Sequence, residues 1–296
     1  MDLISMTTES RNINSFNLHK MSTMEILKLM NKEDENIPKA IKLVLPNIEK
    51  IVERVISSFE KEGRLIYVGA GTSGRLGILD AVECPPTFGT EYEQVVGIIA
   101  GGGKAFVKAV EGAEDNGELA IEELKAINVN HRDTVVGIAA SGRTPYVQSA
   151  LKYARSIGAS TAAISCNENS PISTCAEISV EVVLGPEILT GSTRLKAGTA
   201  QKLILNMIST TSMVGIGKVY ENLMVDVQET NEKLKKRAEN IVMEATGVER
   251  EGAKKKLKEA DGSAKLAIVM ILMNCDADKG RRMLQSSKGH IKDIID

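Results

Sequence analysis

Three short segments of the chain set hydroxyl side chains beside glycines: Gly69-Ala70-Gly71-Thr72-Ser73-Gly74, Ser141-Gly142-Arg143-Thr144 and Gly191-Ser192-Thr193. Where a helix follows such a segment, its first amides lack intrahelical partners and its dipole favours an anion. The first segment also fits the G-x-G-x-x-G spacing of dinucleotide sites. That chemistry needs an acid at the end of the next strand to hold a ribose. Here that strand ends in Ala100-Gly101-Gly102-Gly103, while Glu91 and Glu93 precede it, at the wrong edge. No G-K-[ST] follows any of the three, which disfavours a nucleotide triphosphatase. One compact phosphate on a polyhydroxyl body, a sugar phosphate, fits best, with Thr72, Ser73, Ser141, Arg143, Thr144, Ser192 and Thr193 as candidate contacts. Plain N-capping is the ordinary use of one such loop; convergence of three at one edge points to a ligand.

Two groups of carboxylates could move protons. Glu83 stands in Asp80-Ala81-Val82-Glu83-Cys84-Pro85-Pro86-Thr87, where the two prolines read as a helix stop that fixes the backbone beside it. Glu111, Glu114 and Asp115 form a second group around Gly112, which interrupts a helical stretch. Solvation is the usual role of a glutamate on a helix face, but a carboxyl in apolar surroundings holds its proton more tightly and can act as a general acid. His19, His131 and His290 are scattered, and Cys84, Cys166, Cys175 and Cys275 match no metal spacing. The expectation is therefore no metal site and no cofactor.

The elements that must position these groups follow from the apolar pattern. Runs at 65–68, 95–100, 134–140, 161–165 and 178–184 each end in small or polar residues, and helical stretches at 75–82, 104–127 (interrupted) and 145–157 separate them. Near-continuous apolar strands alternating with helices predict an α/β fold, a doubly wound five-stranded parallel sheet with ligands beyond the carboxyl ends of its strands. Ser22 with Glu25 predicts a capping box opening a first N-terminal helix. A second helix is expected over 37–59, kinked or divided by Pro46. After Thr190–Thr193 a long apolar helix is expected from 195 to about 220. From Asn231 onward the chain reads as polar and helical, and segments at 233–246, 248–260, 263–274 and 276–284 predict a small C-terminal helical bundle.

Composition narrows the function further. The chain has 296 residues, 37 basic and 39 acidic, for a net charge of −2. That balance argues against nucleic acid as a partner. There is no Trp, with five Tyr and four Phe, which disfavours a stacking groove for single strands. The longest strongly apolar run, 266–273, is too short to span a bilayer, and the N-terminus shows no basic or apolar leader pattern. The expectation is a soluble, cytoplasmic, reduced protein.

The long blocks around these motifs carry a family likeness. Residues 65–87, 110–115, 137–146, 190–202 and 222–227, with Thr7-Thr8-Glu9-Ser10-Arg11-Asn12 and Asn231-Glu232-Lys233-Leu234, closely resemble the N-acetylmuramic acid 6-phosphate etherases. The resemblance spans nearly the whole chain. It implies a sugar isomerase (SIS) domain at 56–220, an N-terminal helical segment at 1–55, and a C-terminal module at 221–296 similar to ubiquitin-associated domains. It also implies a homodimer and a role in recycling bacterial cell-wall sugar. The implied reaction is cleavage of the D-lactyl ether with water, giving N-acetylglucosamine 6-phosphate and D-lactate. The family's proton donor falls on Glu83 and a second active-site carboxylate on Glu114. Two other classes use the same fold: a phosphosugar isomerase, and a sugar-phosphate-sensing regulator, which would need a DNA-binding module that the charge balance does not favour.

Overall fold

The computed structural model describes residues 6–227 and 232–295. The 1–5 stretch read above for a leader, and Asn231 of the last family block, lie outside them. By contacts the chain divides into two compact units: residues up to Val82 with Glu93–Ser209, and Glu83–Tyr92 with the residues from Thr210 onward.

The first unit opens with three 3-10 turns, Thr7–Glu9, Ile13–Ser15 and Leu18–Lys20, before helix α1 (Thr23–Asp34). The capping box forms: the Ser22 hydroxyl accepts from the Glu25 amide, and the Ser22 amide donates to the Glu25 carboxylate at 2.7 Å. Helix α2 (Ile37–Glu60) buries Ile41, Ile48, Ile51, Val52 and Val55 at three- and four-residue spacing. It runs through Pro46 as one element instead of dividing there. Pro46 lies on the exposed side, where the carbonyl that loses its partner can turn to water.

The sheet is built from β1 (Leu65–Gly69), β2 (Val95–Ile99), β3 (Thr134–Ile138), β4 (Ser160–Ser165) and β5 (Ile178–Glu181), all parallel, in the order β2-β1-β3-β4-β5. Every residue of β1 and β3 is buried, as a sheet covered on both faces requires. Ile66, Val68, Leu124, Val135, Tyr146 and Leu151 belong to one core cluster. Strand order reverses between β1 and β3, so the crevice at a doubly wound sheet's switch point opens beside the loops that follow these two strands.

The helices between the strands are α3 (Gly71–Phe88), α4 (Gly103–Val107), α5 (Gly117–Ala126), α6 (Pro145–Ser156) and α7 (Pro171–Cys175), with a 3-10 turn at Ala113–Asp115. Helix α3 corrects the sequence reading: Pro85 and Pro86 lie inside it, not after its end. Each proline removes only its own amide bond, and the Gly89 amide still closes onto the Pro85 carbonyl at 2.9 Å. Strand β5 stops at Glu181, short of the 184 expected. The expected apolar helix to 220 is α8 (Lys196–Gly215), followed by a hairpin of β6 (Val219–Tyr220) and β7 (Leu223–Met224). Gly217 sets the break: its φ is +77°, and a Cβ there would stand 2.8 Å from the Gly289 carbonyl oxygen.

In the second unit, α9 (Glu232–Thr246), α10 (Arg250–Glu259), α11 (Ala264–Leu272), α12 (Ala277–Ser286) and α13 (Lys292–Ile295) surround their own core. Helix α11 is buried from Ala264 to Met270. Asp226, just past β7, takes Lys265 at 2.6 Å and Lys218 at 3.3 Å. Among the described residues no helix is long and apolar enough to cross a membrane.

Candidate active site

The turn from β1 into α3 is made of close backbone approaches. A Cβ on Gly74 would stand 2.7 Å from the Gly69 carbonyl oxygen, and one on Gly69 equally close to the Gly74 amide. Only hydrogen at both positions lets the helix start directly over the strand end. The buried Ser73 hydroxyl donates to Gln201 Oε1 at 2.9 Å, so its proton is committed inside the protein. Gln201 Nε2, buried beside it, has no protein partner. Thr72 and Thr193, both candidate contacts, flank Gly198: a Cβ there would lie 3.5 Å from Thr72 Cγ2 and 3.6 Å from the Thr193 carbonyl oxygen.

Arg75 donates to the carbonyl oxygens of Phe106 and Ala105, both at 2.8 Å, and thereby fixes α4 against α3. These elements frame a cleft of about 240 Å³ lined by Gly71, Arg75, Glu111, Gly112 and Glu114 among others. Gly112, at φ +74°, turns the chain into the 3-10 turn that carries the exposed Glu114. The structure thus brings Glu114 to the same cleft as the β1–α3 loop.

The β3–α6 loop is the second cradle. Ser141 Oγ accepts from the Arg143 amide at 3.2 Å. Gly142 has φ +72°, and a Cβ there would lie 2.3 Å from Ser170 Cβ. Thr144 occupies the N-cap of α6, yet its side chain makes no capping bond. Ordinary capping therefore does not account for this hydroxyl.

The α8 start differs from the other two. Its first amides, of Lys196 and Ala197, already hold the Glu187 carboxylate at 3.1 and 3.0 Å, an internal anion at a helix N-terminus. Burial pushes the Glu187 carboxyl above its ordinary range, against the pull of these amides. Lys196 is spent as well: its ammonium meets Glu33 at 2.5 Å and the Leu184 carbonyl at 3.2 Å. Ser192 and Thr193 are half-buried just ahead of this closed start. Cys166, after β4, is pushed up to about 12 by burial and the nearby Glu187 charge, so its thiol stays protonated.

Glu83 is an exposed residue of α3, one turn beyond Asp80. Asp80 accepts from Tyr67, Asn206 and Ser209 at 2.9, 2.8 and 3.1 Å. Burial raises its pKa, and those three donors oppose the rise. The sequence reading singled out none of the buried polar groups Asp80, Glu187 and Gln201 that hold these helices and the β1–α3 loop. A buried acid reads as a solvated one until its partners, up to 129 residues away, are known.

The strand order and the glycine turn over β1 are those of a doubly wound α/β protein, and the family matches narrow it to a SIS-domain protein. Residues 47–155 match the glucokinase regulatory protein N-terminal SIS domain, and residues 107–210 match the SIS domain. Among solved structures, a phosphoheptose isomerase from Neisseria gonorrhoeae aligns with TM-score 0.51 at 16% identity over 64% of this chain and 98% of that one. A phosphoheptose isomerase from Francisella tularensis gives 0.51 at 15%, over 66% and 100%. At these identities the likeness is one of fold. An N-acetylmuramic acid 6-phosphate etherase of Bacillus cereus is 61% identical over 99% of this chain and 100% of its own length, and one of Bacillus anthracis matches equally. The chain belongs to the N-acetylmuramic acid 6-phosphate etherase family.

Proposed function

We propose that this chain cleaves the D-lactyl ether of N-acetylmuramic acid 6-phosphate with water, releasing N-acetylglucosamine 6-phosphate and D-lactate. The observation that carries the reading is 61% identity over 99% of the chain to etherases of that name. The chemistry is that of a carbon–oxygen lyase. The open-chain sugar has an aldehyde at C1, which acidifies the C2 proton. A base removes that proton, and an acid protonates the C3 ether oxygen as lactate departs. Water then adds at C3 of the unsaturated aldehyde, and a proton returns to C2. Two positioned carboxyls suffice, each contributing about 10²–10⁴-fold. We assign the acid to Glu83 and the other proton transfers to Glu114. The phosphate rests on Ser141 and Thr144 with the loop amides, while Thr72, Ser73, Arg143, Ser192 and Thr193 complete the sugar's surroundings. Amides of the strand-end loops meet the C1 oxyanion.

The same reading has the chain working as a cytoplasmic homodimer in peptidoglycan amino-sugar recycling, with its SIS domain at 56–220 between the helical segments 1–55 and 221–296. One assay tests the function: purified protein with N-acetylmuramic acid 6-phosphate in deuterated water. Release of D-lactate with deuterium at C2 of the sugar is the expected result. Ketose formation without lactate would make it an isomerase, and binding without turnover a sensor.

A further inference from the structure

Three of the first described residues are buried although their neighbours are not. Met6 is 1% exposed, Thr8 3% and Asn12 4%. They form a strap across the carboxyl ends of three strands. Asn12 Nδ2 donates to the Pro186 carbonyl at 3.3 Å, beyond β5. A Cβ on Gly191 would stand 3.5 Å from the Glu9 carboxylate. Arg143 Nη1 lies 3.9 Å from Met6 Sδ, beyond β3. The strap therefore meets the same loops to which the sugar phosphate has been assigned.

Beside the Arg143–Met6 contact, a buried amide side chain joins the strap to the phosphate loop. Asn167, just after β4, is 1% exposed. Its Oδ1 accepts from the Thr8 amide at 3.3 Å, and its Nδ2 shares two hydrogens among Thr8 Oγ1 at 3.0 Å and the carbonyl oxygens of Ala140 and Ser141, both at 3.3 Å. Two carbonyl acceptors fix which end of the amide is NH₂. A planar trans peptide whose carbonyl is held on one side sends the following N–H to the other. The Ala140 carbonyl is held by the Cys166 amide at 2.9 Å and by Asn167, which turns the Ser141 amide to the other side; the Ser141 carbonyl is held by Asn167 Nδ2.

We propose that the Met6–Asn12 strap is a wall of the sugar-phosphate site, and that Asn167 is its positioning residue, clamping strap and Ala140-Ser141 loop together in the phosphate-binding shape. The proposal rests on the etherase reading for the identity of the sugar but not for the existence of the phosphate site. Two variants test it. Asn167→Asp keeps size but sets a carboxylate oxygen against two carbonyls. Thr8→Val removes only the strap's hydroxyl from the clamp. The readouts are KM and kcat for lactate release, and calorimetric binding of N-acetylglucosamine 6-phosphate and of inorganic phosphate, which need no turnover.

A phosphate loop held in the wrong shape loses hydrogen bonds to a charged group, so Asn167→Asp should raise KM and both dissociation constants about tenfold or more, while kcat moves less than about threefold. Thr8→Val should shift the same quantities in the same direction by a smaller factor. Unchanged KM and phosphate affinity in folded Asn167→Asp would overturn the proposal, as would a fall in kcat with KM unmoved. Should Asn167→Asp not fold, Thr8→Val decides on the same criteria. A wild-type protein that binds phosphate but releases no lactate sinks the etherase reading and leaves the clamp to be judged by affinity alone.

Discussion

The Tyr67 hydroxyl donates to Asp80 Oδ2 at 2.9 Å, joining the middle of strand β1 to helix α3 one turn before Glu83. Both residues are buried, and Asn206 and Ser209 on α8 complete the acid's shell. A strand and two helices thus share one carboxyl group, which fixes the rotation and register of α3. Tyr67→Phe keeps the ring and deletes the bond. It should lower unfolding free energy by about 1–2 kcal/mol, read as a shifted urea midpoint at unchanged slope. An unmoved midpoint would mean that the remaining donors satisfy Asp80 alone.

The Glu33–Lys196 pair gives a pH signature. Burial raises the Glu33 carboxyl, but Lys196, Asn12 and Asn14 together take it below its ordinary value. A folded-state pKa below the unfolded one stabilises at pH above the unfolded value, about 4.3 for Glu, and the contribution is lost as pH falls through the folded value. Glu33→Gln leaves the buried Lys196 ammonium without its charge partner, a loss on the order of 3 kcal/mol at neutral pH. Its deficit against wild type should shrink as pH drops below about 4. A gap that stays constant with pH would show that the charge is not what matters there.

Phosphate recognition separates the loop hydroxyls by role. Ser141→Ala and Thr144→Ala should each raise KM about 10-fold or more, because hydrogen bonds to a charged group are worth about 1.5–3 kcal/mol. Ser73→Ala should act through stability as well, since its hydroxyl serves buried Gln201. Normal KM in both the Ser141 and Thr144 variants would remove these side chains from the site.

His131 should be dispensable. It precedes β3, at the end of the sheet away from the ligand loops, and Gly158 is its close neighbour. This end is built for stability: buried Asp133 takes the Arg64 guanidinium at 2.7 Å and the Asn130 amide at 2.9 Å. His131→Ala should keep full turnover. A large loss of kcat in a folded variant would place catalysis at the edge of the sheet that carries His131.

The strands were legible because a parallel sheet demands apolar runs, and the β1–α3 turn because only glycines permit it. What local pattern could not reveal is pairing at a distance. Thr8 and Asn167 are 159 positions apart, and Lys196 and Glu33 163. Nothing in the spacing distinguishes them from solvated polar residues. Pro85 and Pro86 misled for a different reason. A proline breaks a helix by depriving one carbonyl of its donor, and near a helix end that loss is small enough for α3 to run on to Phe88. The β6–β7 hairpin stayed hidden because its strands are two residues each, below the length at which alternation can be read.

Glu83 should be the acid that releases lactate. It is a residue of α3, and within its own unit Gly89 closes on the Asp226 carbonyl, where a Cβ would meet oxygen at 2.3 Å. If proton removal at C2 and departure of lactate from C3 are separate steps, loss of the acid stalls only the second. Glu83→Gln keeps the side chain's size but cannot protonate a leaving oxygen. It should lose lactate release by about 10²–10⁴-fold while still exchanging the C2 proton with deuterated solvent. Glu114→Gln should instead impair exchange or water addition. Proton NMR of C2 beside a lactate assay reads both steps for each variant. Normal lactate release by folded Glu83→Gln would end the assignment. Loss of exchange together with lactate would transfer Glu83 to the role of base, and the acid would then have to be sought in the cleft that Glu114 lines.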